Sequence, residues 1–367
     1  MRRVPQAVRP GRPVRPVRPE PLVSAGAKSS RVLDELSESL FAPLPRSDQR
    51  IKGAQYLSGL IAAEGRKSVR NIASHVGGPE LAQSLHHFIA SSTWDWEPVS
   101  SALQRYADNE LRFAAWVVQS RPIPRGTGQA IGVWGVAKDV TVPVKWNLLR
   151  SGQQAAECVA SATLGFDQCA VGPRPVVLDI PGADLRPAFD RYMDAGAPLL
   201  SAVPANLSVL DQAQGRARRS LPAARLLQLS RMLRRPVEWT DPATGDVRRS
   251  LVAGVRVEWA DRPLLLLGQW DSGQEQPVRC WLTNLRATPL GVLLRLAKST
   301  QRVERDFASS ASHVGTLDYE GRTSDGWHRH MTLAAAAHVA QVVAAARSRV
   351  RPWSQCMDSM ERIEYGA

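Results

Sequence analysis

Cysteine is scarce in this chain: four stand among 367 residues, at Cys158, Cys169, Cys280 and Cys356. None forms a C-x-x-C pair, and no histidine lies beside them at zinc spacing, so the zinc-ribbon classes are excluded. Disulfide-stapled secretion is disfavoured too, because no apolar signal segment opens the chain. No apolar run reaches about 18 residues, so no transmembrane helix is expected. A reduced, cytoplasmic setting is the simplest account. Acidic residues are also in deficit, with 34 Asp and Glu against 47 Lys and Arg, which leaves a net charge of +13. Such a balance favours a polyanionic partner, and nucleic acid stands ahead of an acidic membrane surface.

What is present falls into blocks. Residues 1–30 alternate arginine with proline ("MRRVPQAVRPGRPVRPVRPEPLV") and can neither build a helix nor bury a core, so they read as a disordered basic arm. Residues 31–110 follow a helical period, with Ile51, Ala54, Leu57, Leu60 and Ile61 on one stripe. Within them, Ser68 can cap a short helix, Gly77 and Gly78 break it, and Pro79 opens another. That order fits a helix-turn-helix, or a plain helical hairpin. Arg66, Lys67 and Arg70 beside it suggest contact with DNA phosphate.

From about Leu111 the pattern changes to strands rich in Val, Ile and Trp: "FAAWVVQ", "QAIGVWGV", "VTVPVKWNLL", "RPVVLDI" and "APLLSAVP". Helical segments lie between some of them, which predicts an α/β mixed sheet with helices packed on it. Residues 216–288 read as a basic helix followed by antiparallel strands, with turns at "PATGD" and "DSGQE". "PLGVLLRLAKSTQRVERDF" and "GWHRHMTLAAAAHVAQVVAAARSR" predict late helices, and residues 351–367 form a tail. Arg216, Arg218, Arg219, Arg225, Arg231, Arg234 and Arg235 cluster, with Arg248 and Arg249 close behind. They read as a solvated face or, on so basic a chain, a phosphate-contacting one.

"RPVVLDIPG" ends a buried strand on Asp179, an odd place for a charge. Glu304 lies on a late helix, and the two could converge at a sheet edge. Carboxylates so placed can hold magnesium ions about 3.5–4 Å apart that clamp a phosphodiester. The competing account makes Asp179 a helix cap and pairs Glu304 with Arg302 or Arg305. Asp184 reads as an N-cap rather than a replacement ligand.

"RVERDF…VGTLDYEGRTSDGWHRHMTL" resembles the catalytic helix region of DDE transposases from bacterial insertion sequences, in the branch of the insertion-sequence 701 type. "QRIKGAQYLSGLIAAEGRKSVRNIA", "PRPVVLDIPGADLRPAFDRYMDAGAPLLSAVPAN" and "WLTNL" with "LLRLAK" resemble further segments of that family in the same order, from about residue 35 to 345. The resemblance implies an RNase H-like mixed sheet formed by residues 111–215 and 289–350. Residues 216–288 would be a β-rich insertion, and residues 31–110 an N-terminal all-helical domain. It implies metal-dependent cutting and joining of DNA with Mg2+ or Mn2+, on transposon ends and target DNA. It also implies a homodimer in a synaptic complex, and a nucleoid-associated bacterial location with no membrane.

By position, Asp179 matches the family's second aspartate and Glu304 its glutamate. The first aspartate, expected in a W-V-V-D-[DE]-[TS] pattern, is replaced by Gln119. A hairpin is expected to be missing near Gly126–Gly132. Thr300 and Ala311 stand where an arginine and a lysine would contact DNA. These departures imply a degenerate active site, and they suggest that Gln119→Asp would restore cleavage. The alternative is a non-catalytic DNA-binding protein, a repressor or a relic.

Overall fold

The computed structural model describes residues 26–122, 128–149, 174–184, 186–212, 219–242 and 244–349. Residues 1–25 of the basic arm, the tail, Arg216, Arg218, Cys158, Cys169 and Cys356 lie outside the described residues, as does part of the expected hairpin deletion. Residues 26–30, read as the end of that arm, instead form the start of a helix, because the Arg-Pro alternation has stopped by Gly26. Among the described residues no helix is long and apolar enough to cross a membrane.

The described residues open with five α-helices: α1 (Gly26–Phe41), α2 (Ser47–Ala62), α3 (Val69–Ser74), α4 (Ala82–Ala90) and α5 (Trp96–Leu111). The capping chemistry is as the sequence suggests. Ser68 accepts a hydrogen bond from the Asn71 amide, and a 3-10 turn at Pro79–Leu81 leads into α4. Gly77 and Gly78 take φ of 159° and 109° between them. At Gly78 the positive φ is one that a side chain would resist.

Three antiparallel strands follow: β1 (Ala115–Pro122), β2 (Gln129–Val136) and β3 (Thr141–Leu148). Then come β4 (Val176–Asp179), α6 (Arg186–Asp194) and β5 (Leu199–Val203). β4 lies parallel to both β1 and β5. Its run of buried Val176, Val177 and Leu178 suits a strand covered on both faces. Next are β6 (Ser208–Asp211), β7 (Ser220–Pro222), α7 (Ala223–Leu229), β8 (Arg235–Thr240), β9 (Val247–Trp259), β10 (Arg262–Trp270) and β11 (Arg279–Thr283). The chain ends in α8 (Leu290–Ala297), α9 (Ser299–Ser310) and α10 (Ser324–Arg349). One eleven-stranded sheet runs in the order β3-β2-β1-β4-β5-β11-β10-β9-β6-β7, with β8 on β9. This is the mixed α/β architecture expected, with a large mixed sheet compatible with an RNase H-like DDE fold.

Two expectations need correction. The basic stretch from residue 216 to 235 is not one helix. Pro222 ends β7, only seven residues of α7 follow, and Arg231–Leu233 form a 3-10 turn before β8. Pro222 and Pro236 bracket the stretch, and neither can supply a backbone donor. The late helix carrying Glu304 is likewise broken in two at Lys298, which terminates α8 and caps α9.

A continuous apolar core joins α1–α5, α10 and both faces of the β1–β5 region. Ala334–Ala337 let the backbone of α10 approach β3 closely, because small side chains shorten the packing distance. Arg347 ties α10 to α1 and α5 through Glu35 (2.7 Å) and Glu110 (2.8 Å). Of the strand tryptophans, Trp116, Trp134, Trp146, Trp239, Trp270 and Trp281 are buried, so they pack the sheet as their alternation implies.

Two histidines of α10 are wholly enclosed. His330 accepts from the Tyr56 hydroxyl at Nδ1 (2.9 Å) and donates from Nε2 to the Gly315 carbonyl (2.8 Å). Burial lowers the pKa of this ring and so favours the neutral form in which these roles hold. Burial pulls His338 down to about 4, although Asp306 pulls the other way. A base lowered in the folded state is protonated first in the unfolded state, so stability falls as pH drops from about 6.5 towards 4. The loss attributable to His338 is expected to be roughly 3 kcal/mol across that window. Urea midpoints measured between pH 7 and 4 for the natural chain and His338→Leu check it. A variant with an unchanged acid slope would remove His338 as the cause.

Candidate functional site

The site is built where β1, β4 and α9 meet. In the parallel β1–β4 ladder, Gln119 is the register partner of Asp179. Adjacent strands lie about 4.8 Å apart, and register partners face the same side of the sheet. α9 crosses this face with Val303 fully buried and Phe307 against Trp134 and Trp146, at centroid distances of 6.4 and 6.0 Å. Thr300, Glu304 and Phe307 follow one another at i, i+4 and i+7, so packing Phe307 inward brings Glu304 to the rim above Gln119. Glu304 and Asp179 are close enough for the charge of one to act on the other.

The amide is anchored on the helix. Gln119 is 4% exposed, and its Nε2 donates to the Thr300 carbonyl at 3.4 Å. Burial pushes the Asp179 carboxyl above its ordinary range. Arg279 at the start of β11 opposes that rise, Glu304 adds to it, and a hydrogen bond from Gln119 opposes it. The Arg279 guanidinium stands 3.6 Å from Asp179 Oδ2.

Arg121 decides the electrostatics of the other carboxylate. It lies two residues after Gln119 on β1, hence on the same face. One terminal nitrogen donates to Glu304 Oε2 at 2.6 Å, and the other to Gln119 Oε1 at 3.3 Å. Its guanidinium carbon is 4.5 Å from the Phe307 ring centroid and 5.5 Å from that of Trp134, within cation–π range. Neither local partner expected for Glu304 is used. Arg302 donates to the Lys138 carbonyl at 2.8 Å, and Arg305 pairs with Asp306. Nor is Asp179 a helix cap. That part falls to Asp184, whose Oδ1 accepts from the Arg186 amide at 3.0 Å.

Two cavities flank the pair. Glu304 lines a groove of about 1030 Å³ together with Trp239, Arg248, Arg249, Lys298 and Arg305. Asp179 lines an apolar one of about 560 Å³ that includes Phe189 and Trp259. Lys298 lies 4.2 Å over the Trp239 ring, and burial pulls its ammonium down to about 8.

The other candidate residues scatter. Lys67 is buried, with its ammonium on the Ala63 carbonyl, so it cannot meet a phosphate in this conformation. Arg66 pairs with Glu320, while Arg70 is exposed. Arg219, Arg231 and Arg235 are exposed, and Arg234 is half-buried, 5.6 Å from the Trp270 ring. Thr300 and Ala311 are both buried, and the Thr300 hydroxyl donates to the Ala297 carbonyl at 3.0 Å.

Residues 39–157 match the family model of the DDE superfamily endonucleases. The matched segment runs from the end of α1 past β3 and contains Gln119 and Arg121 on β1. It supports a DDE transposase-like family and covers about a third of the chain. No curated protein matches the chain in a sequence search.

DDE endonucleases generally use divalent metals. A bridging Mg2+ needs several anionic or neutral oxygens free to point at one centre. Here Glu304 Oε2 and Gln119 Oε1 already accept from Arg121, and Asp179 Oδ2 faces Arg279. Among the described residues no group of three His, Cys, Asp or Glu side chains is placed to hold a metal ion. The residues present do not fit the ion.

Proposed function

We propose that this protein binds DNA on a DDE endonuclease-type scaffold and acts at the ends of an insertion sequence, with strand cleavage weak or lost. The observation that carries this reading is the register of Gln119 against Asp179 beneath Glu304. An amide stands at the point where a third carboxylate would complete the set. The match of residues 39–157 supplies the class of substrate, since endonucleases of that superfamily act on DNA. On this reading Asp179 and Glu304 are the retained metal-ligand positions, and the exposed Arg70, Arg219, Arg231, Arg235 and Arg249 offer phosphate contacts, while Arg248 pairs with Asp241 at 2.6 Å.

An active transposase is the second reading, favoured by the survival of two carboxylates close enough for their charges to interact. The two separate in one assay. The full chain is incubated with Mg2+ or Mn2+ and a duplex carrying the inverted repeats that flank its gene. Retention of the duplex without nicking is the expected result. Metal-dependent nicking abolished by Asp179→Asn would establish the active reading. Absence of binding to any duplex would remove both.

A further inference from the structure

We infer that Arg121 is a resident cation occupying the place of a divalent ion beside Glu304, so that the carboxylate pair is neutralised by the protein's own guanidinium groups, Arg121 on Glu304 and Arg279 facing Asp179. The inference rests on reading Asp179 and Glu304 as the remnant of a metal site. It adds that Gln119 is the smaller of two obstacles.

Charge supplies the first argument. Asp179 and Glu304 carry two negative charges, and Arg121 and Arg279 return two positive ones, leaving no net attraction for a dication. Geometry supplies the second. The Arg121 side chain is only 15% exposed and is wedged between Phe307 and Trp134, whereas Arg279 is 50% exposed and can swing away. A tethered cation also competes at high effective concentration, which a dissolved ion must overcome. Third, the Arg121 Nε is buried without a hydrogen-bond partner. Leaving a buried donor unmet is unfavourable, so the group is held by its ion pair and the two rings rather than by a full set of bonds.

One consequence opposes the simple repair. A carboxylate introduced at position 119 arrives beside Arg121, which already donates to that residue's side-chain oxygen. The guanidinium would bridge it to Glu304 and be held there more tightly. Restoring the missing charge therefore does not by itself open a metal site. The arginine must leave as well.

The test is Mn2+ binding to the purified full chain, followed by calorimetry and by electron paramagnetic resonance of the free ion. The natural chain and Gln119→Asp are expected to show no saturable site. Gln119→Asp combined with Arg121→Thr is expected to gain a saturable Mn2+ site that both of them lack. A further Asp179→Asn should abolish that binding. Arg121→Met in the same background keeps an apolar stem against the two rings and serves if the threonine variant unfolds. Equal, Asp179-dependent Mn2+ affinity in Gln119→Asp and in the double variants would overturn this role of Arg121 and leave the family reading intact. Folded double variants that bind nothing would overturn both that role and the carboxylate pair as a metal-site remnant.

Discussion

Raising salt from 50 to 200 mM is expected to weaken DNA binding by roughly 10³–10⁵, the loss typical of about 6–10 phosphate contacts. The net charge of +13 and the arginines lining the groove, Arg249 among them, motivate the figure. Each arginine that neutralises a phosphate releases condensed counterions, and added salt opposes that release. Filter binding at several salt concentrations gives the slope. Removing Arg249, whose neighbour Arg248 is held by Asp241, should lower it by about 1, with similar effects on unrelated duplexes, because phosphate contacts carry no sequence information. Lys67→Ala should leave the slope unchanged, since that ammonium is buried on a backbone carbonyl. A flat dependence on salt would remove the groove as a nucleic-acid surface.

Asp306→Ala should destabilise the fold by about 2–3 kcal/mol, the usual range when buried donors lose a charged hydrogen-bond acceptor. Asp306 is 8% exposed, and its Oδ2 accepts from both the Thr141 amide (2.7 Å) and the Thr141 hydroxyl (2.9 Å). Its other oxygen takes the Arg305 guanidinium. The carboxylate thus pins the start of β3 to α9, the helix that presents Glu304. Truncation strands a donor pair on Thr141, which is fully buried. Thr141→Val removes only the hydroxyl bond and should lose about 1 kcal/mol. Urea unfolding of both variants and the double variant measures the coupling. A loss under about 1 kcal/mol for Asp306→Ala would mean that water reaches the site and replaces the carboxylate.

Asp306 was not legible in the sequence. "RVERDF" offers two acidic residues two positions apart on a helix, and nothing in the spacing says which one is buried. The answer depends on β3, 165 residues earlier in the chain, arriving beneath α9. Arg121 is different, because a signal was there. On a strand, residues two apart share a face, so Gln119 and Arg121 had to project into the same space. What could not be read was that Glu304 would come down on them from a helix more than 180 residues away.

The amino-acid order alone determined the strands β1–β5, the Ser68 cap with its glycine break, and the halt of β4 at Asp179. These follow from alternation, capping and turn chemistry, which act over a few residues. It also determined the basic balance and the neutral amide at 119. The tertiary structure decided the pairing of Gln119 with Asp179, the burial of Lys67 and the break at Lys298. It also decided that Arg121 meets Glu304 while Arg279 faces Asp179. Each of these depends on which distant surfaces desolvate one another, and that is set by packing across the whole sheet rather than by any local pattern.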